Sequence, residues 1–265
     1  MMRAVSMWTL AGLIAAAPAT SANMGAGATV AALRDGKTIV WIDAEHRKVI
    51  GSVDLAGGAT LLGFDVRPSD GRLYGVTRDG AIVVVDPKTG MWEKVSQLSE
   101  PLPADMAMAV DFNPVADRLR IIAANGMSLR VNVQDGKATV DGSLKYVDGD
   151  PRTGKQPSVA AAAYTNSVAG SKETALYDLD AAAGSLVRQA PPNDGILTTV
   201  GMLGIMLEGP AAFDIWSDGK GMNVGWLLTS GRLHAVDLMT GSAAPSGPIS
   251  GLNGRIIDLA ILPSL

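Results

Sequence analysis

Four aspartates recur in one local setting: Asp65 in GFDVRP (63–68), Asp111 in AVDFNP (109–114), Asp214 in AFDIWSD (212–218) and Asp258 in IIDLAI (256–261). A fifth, related run, AAAYTN (161–166), carries Ala163 in the aspartate's place. The steps between them are roughly 45–50 residues, the span of one propeller blade. Carboxylates repeated at that interval meet only if successive units stand around a common axis, and three kinds of chemistry are then open to them. A ring of carboxylate oxygens suits a hard cation such as calcium. Two carboxyls about 5 Å apart, or roughly 6.5–9.5 Å apart, serve retaining and inverting glycosidases. Alternatively, each carboxylate accepts backbone N–H groups of the neighbouring unit, which offsets the cost of burying it. The last is our working expectation, with calcium binding and glycosidase-like hydrolysis as its competitors, and no residue is assigned a catalytic role. Tyr164 and Asn166, on the strand that lacks the aspartate, complete the channel and ligand candidates.

Other polar residues carry weaker signals. Asp148-Gly149-Asp150 begins like an oxygen-ligand calcium loop, but Arg152 occupies the next ligand position and no glutamate closes the loop, so a plain polar loop is expected. Asn193 and Asp194 lie in the rigid turn-forming run Pro191-Pro192-Asn193-Asp194-Gly195, which is suited to crossing a face of the fold or presenting a recognition surface. His46 and His234 are the only histidines; with no third ligand at a suitable spacing, both are expected at exposed strand or turn positions. Trp41, Trp92, Trp216 and Trp226 fall inside strand patterns and are expected to pack between sheets; stacking on sugars is the alternative. Phosphate-binding and dinucleotide-binding glycine motifs and a nucleophile elbow are absent.

The elements that must position these residues are strands. Leu61–Val95 reads LLGFDVRPSDGRLYGVTRDGAIVVVDPKTGMWEKV: four short apolar runs separated by SDG, RDG and DPKTG, hence four antiparallel strands with tight turns. One such sheet has two apolar faces and cannot cover both alone, so repetition is the expected solution. Units of the same kind begin at each of the five runs above. The first is short: residues 28–55 offer three strands, and Ile256–Ile261 at the chain's end is expected to supply the fourth. The fold class is therefore all-β, a five-bladed propeller closed by a C-terminal strand pairing into the N-terminal blade, which removes open edges. Asp86–Gly90, Asp180–Gly184 and Asp237–Gly241 each place glycine four residues after aspartate behind an apolar strand, and they are expected to be equivalent hairpins.

The runs Ala161–Asn166, Thr174–Asp180 and Gln189–Gly201, together with GFDVRP, GRLYGVT and VDFNPVADRLRI, resemble the pattern of a family of exported bacterial proteins, domain-of-unknown-function family 4394. The similarity extends over essentially the whole chain beyond residue 22. It implies a propeller-like exported domain, and it brings no assigned activity and no catalytic residues.

Composition narrows the partners. The chain is 47% hydrophobic and 18% charged, with a net charge of −4 and no basic run, which argues against nucleic acid and anionic membrane. It has no cysteine, so disulfides, thiol catalysis and a lipid-anchored cysteine are excluded. Residues 1–22 carry Arg3, an apolar run of about 12 residues and then small residues, as a secretory signal peptide does; an uncleaved anchor is the alternative. A propeller domain over 23–265 is expected, periplasmic or secreted, without membrane insertion after cleavage. Its function is expected to be non-enzymatic binding of a small molecule or a protein. No cofactor is expected beyond the calcium alternative.

Overall fold

The computed structural model describes residues 29–103 and 106–262; the expected signal segment lies outside them. Among the described residues the strands are β1 (Thr29–Arg34), β2 (Thr38–Asp43), β3 (Lys48–Asp54), β4 (Leu61–Val66), β5 (Leu73–Thr77), β6 (Ala81–Val85), β7 (Trp92–Gln97), β8 (Met108–Asn113), β9 (Arg118–Ala123) and β10 (Ser128–Val131). They continue as β11 (Ala138–Val140), β12 (Lys145–Tyr146), β13 (Val159–Tyr164), β14 (Leu176–Asp180), β15 (Ser185–Gln189), β16 (Ile196–Met202), β17 (Ala211–Ser217), β18 (Asn223–Thr229), β19 (Arg232–Val236) and β20 (Ile256–Leu262). They form five sheets in a ring, the arrangement of a five-bladed β-propeller. Blade 1 is β20-β1-β2-β3, blade 2 is β4 to β7, blade 3 is β8 to β11, blade 4 is β13 to β16 and blade 5 is β17 to β19.

Each blade is sandwiched between two others, so its middle strands are buried on both faces and lose the usual alternation. In blade 2, LYGVT and AIVVV are buried at every position, whereas the outermost strand WEKVSQ is largely exposed. One apolar cluster fills each of the five contacts between blades. Phe64 and Phe112 are fully buried in two of them, and truncating either to alanine is expected to cost about 3–5 kcal/mol. The ring closes through β20, which runs antiparallel to β1 with Val30 opposite Ile261 and Ala32 opposite Leu259.

Three local details differ from the sequence reading. Asp86–Gly90 and Asp237–Gly241 follow the third strand of their blades, but Asp180–Gly184 joins the second and third strands of blade 4 and so lies on the opposite face of the ring. In blade 1 the turn matching the first two is Asp43–Arg47, with Arg47 at φ 49° where the others have glycine. Lys145-Tyr146, which follows blade 3 along the chain, pairs in parallel with β16 and so extends blade 4, a departure from purely antiparallel units. Blade 5 has three strands among the described residues, and where a fourth is expected there are only the isolated pairings Val236–Ala243 and Arg232–Pro248.

Candidate functional site

The innermost strands β20, β4, β8, β13 and β17 surround the axis and set the four repeated aspartates there. The sites are only 3–6% exposed: Asp65 6%, Asp111 3%, Asp214 5% and Asp258 4%. Each carboxylate reaches across to the next inner strand. Asp258 Oδ2 accepts the Phe64 N–H at 2.9 Å, Asp65 Oδ2 that of Phe112 at 2.7 Å, Asp111 Oδ1 that of Tyr164 at 3.0 Å, and Asp214 Oδ2 that of Ile261 at 2.7 Å. Three of them also accept the N–H of their own following residue, Val66, Ile215 and Leu259. The chain of contacts breaks once, at Ala163 in blade 4, which has no carboxylate to offer blade 5. Gly63 is part of this device: a Cβ there would lie 2.6 Å from Asp258 Oδ2 and 2.6 Å from Val110 Cγ2, so glycine lets the neighbouring carboxylate come in.

The electrostatics follow from crowding. One oxygen from each of Asp65, Asp111 and Asp214 lies within 4.8 Å of the other two. Burial first, and the neighbouring aspartates second, push the Asp65 and Asp111 carboxyls well above the ordinary range. Asp258 is raised well above it by burial, against the two N–H groups it accepts, and burial takes Asp214 to about 6. Buried like charges this close do not all ionise near neutrality; protons, or a cation, relieve them.

The remaining candidates are dispersed. Tyr164 gives its N–H to Asp111, and its hydroxyl accepts from Arg120 Nε at 3.2 Å. Asn166, at φ 57°, exchanges hydrogen bonds with Asn223 of blade 5: its N–H reaches Asn223 Oδ1 at 2.8 Å and its Oδ1 accepts from Asn223 Nδ2 at 2.9 Å. Asp148 is exposed, while Asp150 holds the outer strand of blade 4 by accepting the Thr199 N–H at 2.7 Å. Asn193 Oδ1 accepts from Arg120 Nη2 at 2.9 Å, and Asp194 is exposed beside it. His46 is exposed and pairs with Asp43 at 2.8 Å; His234, expected at an exposed position, is 5% exposed with Nδ1 against the Ala244 carbonyl. Trp226 and Trp216 pack between blades 5 and 1, and Trp92 remains 38% exposed.

Trp92 borders a recess that sequence reasoning did not find. It measures about 650 Å³ and lies at blade 2 on the face that carries the β4–β5 and β6–β7 turns. Leu73, Val85, Met91, Trp92 and Leu262 line it, and the Arg72–Glu93 ion pair, 2.5 Å, stands at its polar edge. Leu262 comes from β20, so the hollow exists only once the ring has closed. Toward the other neighbouring blade, Arg67 bridges blades 2 and 3, donating to Asp117 at 2.8 Å through Nε, with its guanidinium 5.7 Å from the Tyr74 ring centroid. That contact holds the Asp117 carboxyl below its usual range.

Comparison with known proteins gives one sequence match and several remote structural ones. A protein-family profile described as Domain of unknown function (DUF4394) matches residues 38–260. No curated protein matches the chain. A protein of unknown function from Bacteroides thetaiotaomicron VPI-5482 is 14% identical with a TM-score of 0.51; the alignment covers 87% of this chain and 63% of that one. An auxiliary nutrient binding protein from Bacteroides ovatus ATCC 8483 is 16% identical with a TM-score of 0.45, covering 74% and 55%. The calcium-binding protein regucalcin from Agrobacterium tumefaciens str. C58 is 16% identical with a TM-score of 0.46, covering 83% and 73%. The first of these similarities speaks to the fold alone, and the two with TM-scores below 0.5 carry no argument. Among the described residues no helix is long and apolar enough to cross a membrane.

Proposed function

Because the chain belongs to the family described as Domain of unknown function (DUF4394), membership brings no activity with it, and we propose from the geometry that the protein is an exported, non-enzymatic binding module. One observation carries this reading: all four axial carboxylates are buried and each accepts a backbone N–H of a neighbouring strand. A glycosidase needs two carboxyls free to face a sugar in an open cleft, one to protonate the leaving group and one to attack or activate water. Here the acids are spent on holding blades together. The recess at Trp92 is the place for a ligand: its volume falls within the range of small-molecule sites, and its walls are mostly apolar with charged groups at the edge. A compact, largely apolar molecule with one or two polar groups suits that lining.

The test is a thermal-shift panel of metal ions, sugars, lactones and small aromatic acids on the mature protein, with Trp92→Ala in parallel. A compound that raises the melting temperature of the wild type and not of Trp92→Ala supports the recess as the site. Turnover of a glycoside or lactone that Asp65→Asn abolishes would replace the binding reading with a hydrolase.

A cation at the axis is the second reading, favoured by the three oxygens within 4.8 Å of one another. It requires a calcium-dependent rise in melting temperature that Asp111→Asn removes. Export rests on the composition of residues 1–22; mass spectrometry of protein recovered from periplasm or medium is expected to show that segment gone, and an intact Met1 there would count against export.

A further inference from the structure

The contact between blades 3 and 4 contains a polar seam that the binding reading does not use. Asp178, on β14, is 0% exposed, and neither of its carboxylate oxygens has a hydrogen-bond partner. Its register partners on the two flanking strands are Ala162 of β13 and Val187 of β15. The strand register places Asp180 opposite Ser185, Asp178 opposite Val187 and Leu176 opposite Gln189, so all six side chains point to one face of blade 4. That face meets blade 3 through the cluster containing Ile122, Ala162, Leu176, Val187 and Leu197. Ser185 Oγ and Gln189 Oε1 are also buried without partners. Three neighbouring side chains therefore hold four unpartnered oxygens on one buried face, and the two of Asp178 lack donors.

The nearby cation does not supply them. Arg120 enters from blade 3, 2% exposed, but its guanidinium donates to Tyr164, to Ser128 at 2.9 Å, to Asp141 at 2.5 Å and to Asn193 at 2.9 Å. Asp141 in turn binds Arg130 at 2.8 Å. Within blade 4, Asp180 accepts from the Tyr146 hydroxyl and from the N–H groups of Ser158 and Ala183. Among the described residues the charged and titratable groups of this region are Arg120, Asp141 and Arg130 from blade 3, Asp180, Tyr146 and Tyr164 from blade 4, and Arg152 beside Tyr146. An ionised Asp178 here would be a buried charge without a hydrogen bond and next to a second carboxylate, a state that protonation or local opening removes.

We propose that Asp178 is a proton-holding residue that closes the blade 3–blade 4 contact as a neutral carboxylic acid, making this seam of the ring sensitive to pH. Protonation turns one of the two Asp178 oxygens into a donor, and the side-chain oxygen of Gln189, a pure acceptor, lies unfilled on the same face diagonally across β15. The direction of the titration agrees: burial, opposed by Arg120 and reinforced by Asp180, moves the carboxyl up to about 8. The sign is fixed by the folded state holding the proton that the unfolded chain releases near its ordinary value. The contribution is complete in acid, is lost progressively as pH rises toward about 8, and above that the seam carries an unpaired charge.

The experiment compares the melting temperatures of the wild type and Asp178→Asn from pH 5 to 9. Asparagine keeps the shape and cannot ionise, so the wild type is expected to lose several degrees relative to the variant as pH rises. The axial carboxylates titrate in both proteins and cancel in the difference. In parallel, the wild-type backbone amides of Ala162 and Val187, paired with residue 178, are followed by NMR; this arm does not depend on the variant folding. A common titration of both amides above pH 6 supports the proposal. Parallel melting curves, or amides at 162 and 187 that do not titrate above pH 6, would overturn it.

Discussion

An aspartate at the axis of this ring accepts hydrogen bonds that no other group is placed to accept, and that decides what substitution does. Asp65→Ala orphans the buried N–H groups of Val66 and Phe112 and is expected to cost about 1–3 kcal/mol. Asp65→Asn keeps an acceptor oxygen and removes a charge from a crowded site, so it is expected to melt above the alanine variant, with the gap between them measured by chemical denaturation. Equal stabilities would show that charge, and not hydrogen bonding, governs the position. Asp111 differs from the other three in accepting only from the neighbouring strand, through Oδ1, which makes it the residue whose asparagine variant best reports on an axial cation. The types and spacing of these four residues were legible in the chain because each sits in a repeated motif. Arg120, Asp178 and Gln189 were not: each occurs once, in a unit whose equivalents are apolar or unrelated, and burial of a polar side chain leaves no mark on a repeat.

At the level of elements, the strands are specified locally and the joints between them are not. Apolar runs bounded by glycine and aspartate turns mark the meanders of blades 1, 2 and 3 almost residue by residue. β20 is different, since it forms only by pairing with β1 from the other end of the chain. Removing residues 256–265 takes away that strand, the Asp258 acceptor and the Leu262 wall of the recess together. The truncated protein is expected to lose cooperative melting or to self-associate through the exposed edge of β1, as read by calorimetry and light scattering; a monomer melting at the wild-type temperature would refute closure as the source of stability. Two glycines test the joints more finely. At Gly136, with φ 74°, a Cβ would lie 1.8 Å from the Gln97 carbonyl oxygen, so Gly136→Ala is expected to force blades 2 and 3 apart and to lower the melting temperature. Gly63→Ala should act at the axis and weaken the Asp258–Phe64 contact, seen as faster hydrogen exchange at the Phe64 amide. The Asp180–Gly184 turn shows the limit of motif reading: the Asp-to-Gly spacing describes a turn geometry that either end of a hairpin accepts, so it does not say which pair of strands the turn connects.

For the whole molecule, the balance of shifted carboxyls sets the pH at which the ring is firmest. Asp65, Asp111 and Asp258 are raised, Asp214 to about 6 and Asp178 to about 8, and each contributes stability in acid that is lost as pH climbs toward its folded value. Asp117 and Asp150, held low by Arg67 and by the Thr199 and Arg152 N–H groups, contribute in the opposite sense and are lost only as pH falls below the ordinary range. The melting temperature is therefore expected to peak at about pH 4–5 and to decline through neutrality; a maximum at pH 8 or above in a calorimetric pH series would contradict the protonation states assigned here. Alone, the sequence determined the blade count, the strand runs and the aspartate repeat, because each is encoded by local pattern and by spacing along the chain. Only the tertiary structure decided which carboxylates meet backbone and which are left without partners, where the recess opens, and which turns share a face. Those depend on contacts between blades far apart in sequence, where the identity of a residue says what it can bond to and the closing of the ring says what is within reach.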